Sequence, residues 1–211
     1  MGKEQELFEA ARNGDVDLVD KILSLRLKKV SSLASLRKTP GPNAQDRVSG
    51  YTCLHYAALN GHKEVVKSLL QHDANVNLQD KKGCTCLHLA SWAGHYDIVN
   101  YILMQSNIEP DINLVNCDNE SPLHCAAQFN HSQVCSLLLF HGADITLRNN
   151  KEETAFDLAC EYGRFETVQV LLDCKPDLAY TSTHVNHSPL HLAAKSKLAF
   201  LVNRLSPLSN L

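Results

Sequence analysis

Four histidines stand directly after a leucine in near-identical surroundings: "LHYAA" at Leu54, "LHLAS" at Leu87, "LHCAA" at Leu123 and "LHLAA" at Leu190. "FDLAC" occupies the same setting at Phe156, with Asp157 where the histidine would be. Repeated imidazoles could ligate a metal or serve as general bases, and the eight cysteines add candidate thiolate ligands. A zinc ion needs each ligating nitrogen within about 2.1 Å. Equivalent residues in successive stacked helical units lie roughly 8–10 Å apart, so His55, His88, His124 and His191 cannot share one ion. A general base needs a nucleophile or acid converging on it, and none recurs beside any of the four. Among the cysteines the closest pair is Cys84 and Cys86, a C-x-C with no second pair at zinc-finger spacing. No metal, cofactor or catalytic group is expected, and the chain reads as a non-enzyme.

The elements around the histidines explain them better. Aligned on Leu54, Leu87, Leu123, Phe156 and Leu190, the segments recur at steps of 33, 36, 33 and 34 residues. A fixed period in this range marks a repeat architecture. Thr52, Thr85, Ser121, Thr154 and Ser188 each precede an apolar helical pattern, where a hydroxyl can cap free backbone N–H groups. Pro122 and Pro189 follow two of them at the first helical position, where proline is tolerated. Gly61, Gly94 and Gly163 are placed to end the first helix of a unit in a left-handed turn, with Asn130 as the next-best residue for that role. A second helix follows, with Val65, Val66, Leu69 and Leu70 on one face. Small pairs, Ala57–Ala58, Ala90–Ser91, Ala126–Ala127 and Ala193–Ala194, allow neighbouring helices to approach closely. "DANVNLQDKKG" then turns the chain outward before the next cap.

The 33-residue period and the stretch "YTCLHYAALNGHKEVVKSLLQHDANVNLQD" resemble the ankyrin repeat over residues 50–194, with a weaker half-repeat in "LFEAARNGDVDLVDKIL". The fold class expected is all-α: an ankyrin-repeat solenoid of helix-turn-helix units joined by projecting β-turn loops. Residues 1–23 are expected to form an N-terminal capping half-repeat and 24–47 a basic flexible insertion. The array itself spans 48–211, with repeats starting near 50, 83, 119, 152 and 186, the last atypical or truncated. In this frame the histidines are structural. Each imidazole sits at a helix start and is expected to bond loop backbone and hydroxyl groups nearby, tying one repeat to the next, with Asp157 bonding locally in their place.

"MGKEQELFEAAR", "HYAALNGHKEVV", "NCDNESPLHCAAQF" and "LRNNKEETAFDLACEYGRFETVQVLL" resemble the amino-terminal ankyrin array of the Odin/AIDA-type adaptor proteins, with Caskin-type scaffolds as runner-up. That resemblance implies a scaffold in which an ankyrin array is followed by SAM domains and a phosphotyrosine-binding domain, acting downstream of receptor tyrosine kinases, Eph receptors among them. Residues 1–211 hold neither of those later domains. What carries over is the array as a protein-binding surface, an adaptor or scaffold module. A stoichiometric inhibitor of an enzyme such as a kinase is the alternative, using the same surface.

Composition narrows the partners. Hydrophobic residues make up 44%, enough for a core. A formal net charge of −3 gives no general attraction to nucleic acid or anionic membrane. No run of about 18 apolar residues could span a bilayer. "MGKEQELFEAARNG" lacks an apolar signal core, so a monomer in the reducing cytoplasm is expected, with free thiols. The segment 24–45 carries Arg26, Lys28, Lys29, Arg37 and Lys38 and no acid, and "KKVSS" offers Ser31 or Ser32 to a basophilic kinase. Residues 105–113 lengthen one turn and supply the step of 36. After Leu190, Lys197 and Leu198 replace the turn-forming pair, so a helix is expected there, either broken or continuous, until Pro207.

In an ankyrin stack the concave side stays open, lined by the ends of the first helices and by the projecting turns. Leu59, Trp92, Phe129 and Tyr162 offer one large group per repeat there, and Lys81, Lys82, Asp118, Asn150 and Lys151 lie in the turns. An apolar and aromatic stripe with a polar rim has the composition of an interface hot spot.

Overall fold

The computed structural model describes residues 2–28, 40–105 and 107–180. His191, Ser31, Ser32 and the helix expected after Leu190 lie outside the described residues. Among the described residues there are helices and turns and no strand. The helices come in pairs: α1 (Lys3–Asn13) with α2 (Val16–Lys28), α3 (Cys53–Asn60) with α4 (Lys63–Gln71), α5 (Cys86–Ala93) with α6 (Tyr96–Gln105), α7 (Pro122–Gln128) with α8 (Ser132–Phe140), and α9 (Ala155–Glu161) with α10 (Phe165–Cys174). A short 3₁₀ turn follows at Pro176–Tyr180. The first helices pack in the order α1, α3, α5, α7, α9 and form one layer; α2, α4, α6, α8, α10 form the second. The chain is an all-α repeat solenoid. No helix among the described residues is long and apolar enough to cross a membrane.

Short helices of seven or eight residues are too brief to hold themselves together in water, so their ends and their packing decide them. Thr52, Thr85, Ser121 and Thr154 sit at the N-caps with extended backbone. Gly14, Gly61, Gly94 and Gly163 and, in the third full unit, Asn130 take positive φ at the turns between paired helices, from 62° to 81°. Beyond these turns the second helix of each unit buries one face: Val65, Val66, Leu69 and Leu70 in α4, and Ile98, Val99 and Ile102 in α6. Leu7, Leu54, Leu87, Leu123 and Phe156 form the axis of the core, each at most 2% exposed. Ala57, Ala58, Ala90, Ala126 and Ala127 lie within it and Ser91 is buried as well, so a unit's apolar faces are completed only by its neighbours.

α2 runs on to Lys28, into the segment set apart as an insertion. At the other end of that segment, residues 46–50 are an ordered turn. Asp46 accepts from the Val48, Ser49 and Tyr51 N–H groups at 2.7, 2.8 and 3.1 Å and from the Tyr56 hydroxyl at 2.8 Å. Burial alone would raise the Asp46 pKa, but these bonds and the Ser49 hydroxyl hold its carboxyl well below the usual carboxylate range. The longer step between the second and third full units is absorbed in the loop after α6, where Asn77 clamps the extra residues. Its side chain donates to the Glu109 carbonyl and accepts from the Asp111 N–H, each at 2.9 Å.

Two substitutions test this packing. A Cβ at Gly94 would come within 2.4 Å of the His131 ring, at a φ of 76°. Gly94→Val is expected to cost more than about 1 kcal/mol, and a wild-type melting temperature would contradict the placement of this turn. Ser91 is the reverse case. Its hydroxyl is buried with no hydrogen-bond partner among the described residues, in the slot that Ala58 and Ala127 fill in neighbouring units. Ser91→Ala is expected to gain about 1 kcal/mol, read as a melting temperature higher by about 2–4 °C.

Candidate functional site

The histidine at the third position of α3, α5 and α7 completes a capping box. In the first full unit the Thr52 N–H donates to His55 Nδ1 at 3.1 Å, and the His55 N–H donates to Thr52 Oγ1 at 3.3 Å. An Nδ1 that accepts a backbone N–H must keep its proton on Nε2, and that proton is donated to the Cys84 carbonyl of the next unit at 3.0 Å. The pattern repeats with His88, held by the Thr85 N–H and donating to the Glu120 carbonyl at 3.0 Å. His124 is held by the Ser121 N–H and donates to the Glu153 carbonyl at 3.2 Å. Burial lowers the pKa of all three imidazoles, that of His88 to about 4. Asp157 reproduces only the local half. It accepts from the Thr154 N–H at 2.9 Å and hydroxyl at 2.8 Å, while its Oδ1 is buried without a partner among the described residues. Burial raises its pKa.

A second set of tethers runs the other way. His62 Nε2 donates to the Arg12 carbonyl at 2.9 Å, His95 to the Leu59 carbonyl at 3.1 Å and His131 to the Trp92 carbonyl at 3.0 Å. In the fourth full unit Arg164 Nε takes over, donating to the Gln128 carbonyl at 2.7 Å. Each residue follows the left-handed turn, in Gly61–His62, Gly94–His95, Asn130–His131 and Gly163–Arg164. That pairing is visible in the sequence, although its use is not. The projecting turns are joined as well: the Lys81 N–H donates to the Ser49 carbonyl at 3.0 Å, Cys117 to Lys82 and Asn150 to Asp118, both at 2.9 Å.

Among the described residues no three His, Cys, Asp or Glu side chains gather as metal ligands would. Burial pushes the Cys53, Cys86 and Cys135 thiols up to about 12, away from thiolate chemistry. Asp20, Ser68 and His72 meet, but in an unproductive order. The Asp20 carboxylate accepts from the Ser68 hydroxyl and lies 3.6 Å from His72 Nε2, so it separates the hydroxyl from the imidazole that would have to deprotonate it.

The open face is built by the ends of the first helices and by the turns. Trp92 is 46% exposed and Phe129 40%. Trp92 occupies the first of two slots after the small pair and Phe129 the second, and stacking brings their rings edge to face with centroids 5.3 Å apart. Tyr162, 45% exposed, lies under the Arg164 guanidinium at 5.9 Å, and Leu59 is half-buried. Lys81, Lys82, Asp118, Asn150 and Lys151 are exposed on the turns. Asn150 is also bound to its neighbour, donating to the Cys117 carbonyl at 3.0 Å. The structure therefore brings Trp92 and Phe129 together, and places Leu59 and Tyr162 to either side of that pair in chain order.

Stacked helix pairs, left-handed turns between them and caps closed by histidine or aspartate define a helical repeat protein. The chain belongs to the ankyrin-repeat family: the family model "Ankyrin repeats" matches it three times, over residues 7–114, 103–182 and 123–208. It is 46% identical over 160 residues to ankyrin repeat and sterile alpha motif domain-containing protein 1B of Danio rerio, covering 72% of this chain and 12% of that protein. It is 44% identical over 179 residues to ankyrin repeat and SAM domain-containing protein 1A of Homo sapiens, covering 70% of this chain and 16% of that one. Both are of the Odin/AIDA type, and the Caskin-type alternative gains no support from them. The chain thus spans a small fraction of the length of these relatives.

The buried imidazoles make stability depend on pH. Their folded pKa values lie below the unfolded value of about 6.5, so below that pH the unfolded chain binds protons that the folded chain refuses. Stability is complete above about pH 6.5 and falls between there and about pH 4. Asp157, with its pKa raised, acts in the opposite sense, but only as pH falls into the carboxylate range. The melting temperature is expected to drop from pH 7.5 to about pH 4.5, with a shallower slope in His88→Gln. A flat profile would contradict neutral, buried imidazoles.

Proposed function

We propose that this chain is a non-catalytic protein-interaction module, an adaptor or scaffold of intracellular signalling that binds other proteins on its concave face. The Trp92–Phe129 pair carries the proposal. Leu54, Leu87, Leu123 and Phe156 of the first helices are buried in the stack, whereas at the helix ends these two rings stand 46% and 40% exposed in mutual contact, with Tyr162 exposed and Leu59 half-buried. The Trp92 backbone is anchored to the next unit, its carbonyl held by His131 at 3.0 Å. Exposed aromatic rings on a pre-organised backbone give binding energy at low entropic cost. Leu59 and Tyr162 extend this site, with Lys81, Lys82, Asp118, Asn150 and Lys151 as its polar rim. The likeness to Odin/AIDA-type proteins supports a place among cytoplasmic partners of receptor tyrosine kinase signalling, Eph receptors included, with the chain acting as a monomer.

The test is affinity capture with the 211-residue chain as bait, followed by titration of the captured partner against variants. Trp92→Ala is expected to lose on the order of 2 kcal/mol of binding while melting near the wild-type temperature. If binding survives Trp92→Ala and Phe129→Ala together, or if both variants simply unfold, the rings are packing residues and the site lies elsewhere.

A further inference from the structure

The turns that flank the proposed site differ in charge. They lie at residues 46–50, 80–83, 116–119 and 149–152. Asp46 and Asp80 accept from the N–H groups of their own turns, Asp80 from Lys82 and Cys84 at 2.8 Å each, so both carboxylates are folded inward. What the first two turns present outward is Arg47, Lys81 and Lys82, all exposed. None of these three cations forms an ion pair among the described residues. Their backbones are fixed by the ladder from Lys81 to Ser49 and from Cys117 to Lys82. Lys81 Nζ also donates to the Arg47 carbonyl at 2.5 Å, so the two turns form one continuous positive edge. The chain as a whole has a net charge of −3, which makes this edge a local feature.

The edge is in register with the aromatic pair. Lys81 and Lys82 precede α5 and Trp92 lies near its far end, so one eight-residue helix separates them. The helix is about 12 Å long, and Leu89 shares the face of Trp92 three residues earlier. On the other side of the first turn Arg47 also lines a groove of about 670 Å³ against α1, over Phe8 and Tyr56, where the charges are mixed: Glu4 and Glu9 stand with Arg12, which covers the Tyr56 ring at 4.5 Å.

We infer that the partner site takes an extended acidic segment, with an apolar or aromatic anchor on Trp92 and Phe129 and an Asp or Glu on Lys81, Lys82 and Arg47. Crossing α5 and part of the projecting turn is a span of roughly 15–20 Å, which sets the acid about four to six extended residues from the anchor. The inference rests on the reading of Trp92 and Phe129 as the partner site.

A phage-displayed library of random dodecapeptides, selected on the full chain, tests it. Enriched peptides are expected to pair an apolar or aromatic residue with Asp or Glu about four to six positions away. Their synthetic versions should bind about tenfold more weakly to Lys81→Glu/Lys82→Glu, and weaken further as salt is raised. If the double variant melts early, Lys82→Gln alone should still weaken binding severalfold. Peptides that need Trp92 but carry no acid, or carry Lys or Arg and ignore the charge reversal, overturn the acidic segment and leave the aromatic site standing. Peptides indifferent to both Trp92→Ala and the charge reversal overturn the site itself. A selection that enriches nothing overturns the acidic segment too.

Discussion

Three cap imidazoles, one in each of the first three full units, hold this molecule in register. His55, His88 and His124 each accept a backbone N–H at Nδ1 and therefore offer Nε2–H to a carbonyl of the following unit. A single side chain thus ends one problem and starts the solution of the next. It closes the cap of a helix too short to stand alone, and it fixes where the neighbouring turn must lie. The apolar faces supply most of the attraction between units, but they are made of alanines, leucines and valines that could slide over one another. A directional bond between buried groups removes that freedom, because a unit shifted along the stack would leave both donor and acceptor unpaired.

The same rule explains why the projecting turns are rigid enough to carry a site. Each turn is braced internally by an Asp or Asn at its base: Asp46, Asp80, Asn116 and Asn149 accept from N–H groups further along their own turns. Each of the last three is also bonded to the turn before it. Charged and aromatic side chains then project from a backbone that has already lost its entropy in folding, and a partner does not have to order it again.

Much of this was legible from local spacing. The period shows in the recurrence of one motif, and the caps, the left-handed glycines and the local contacts of His55, His88 and His124 depend on residues only a few positions apart. The tethers from His62, His95, His131 and Arg164 were not, because their acceptors are main-chain carbonyls 36 to 50 residues away, and a carbonyl leaves no mark in a sequence. Glu152 is a similar case. It takes a φ of 63° where Gly50, Gly83 and Asn119 stand in the other turns, a conformation its residue type would not suggest and only the periodic alignment reveals. At the candidate site, composition pointed to four large groups in a row. The contact between Trp92 and Phe129 depends on a one-residue offset between their slots, and on the helix ends lying side by side.

The two histidine ladders point in opposite directions. One reaches forward from the start of each first helix to the following turn, and the other reaches back from the start of each second helix to the preceding helix end. Neighbouring full units among the described residues are therefore latched at two separated points, in the manner of a door held by both hinge and bolt. Rolling one unit on the next would load one latch in tension and the other in shear, so the stack is stiff against twist. A pull along the chain from its end meets the latches a pair at a time, and the molecule yields as a zip fastener does, tooth by tooth, rather than as a rope.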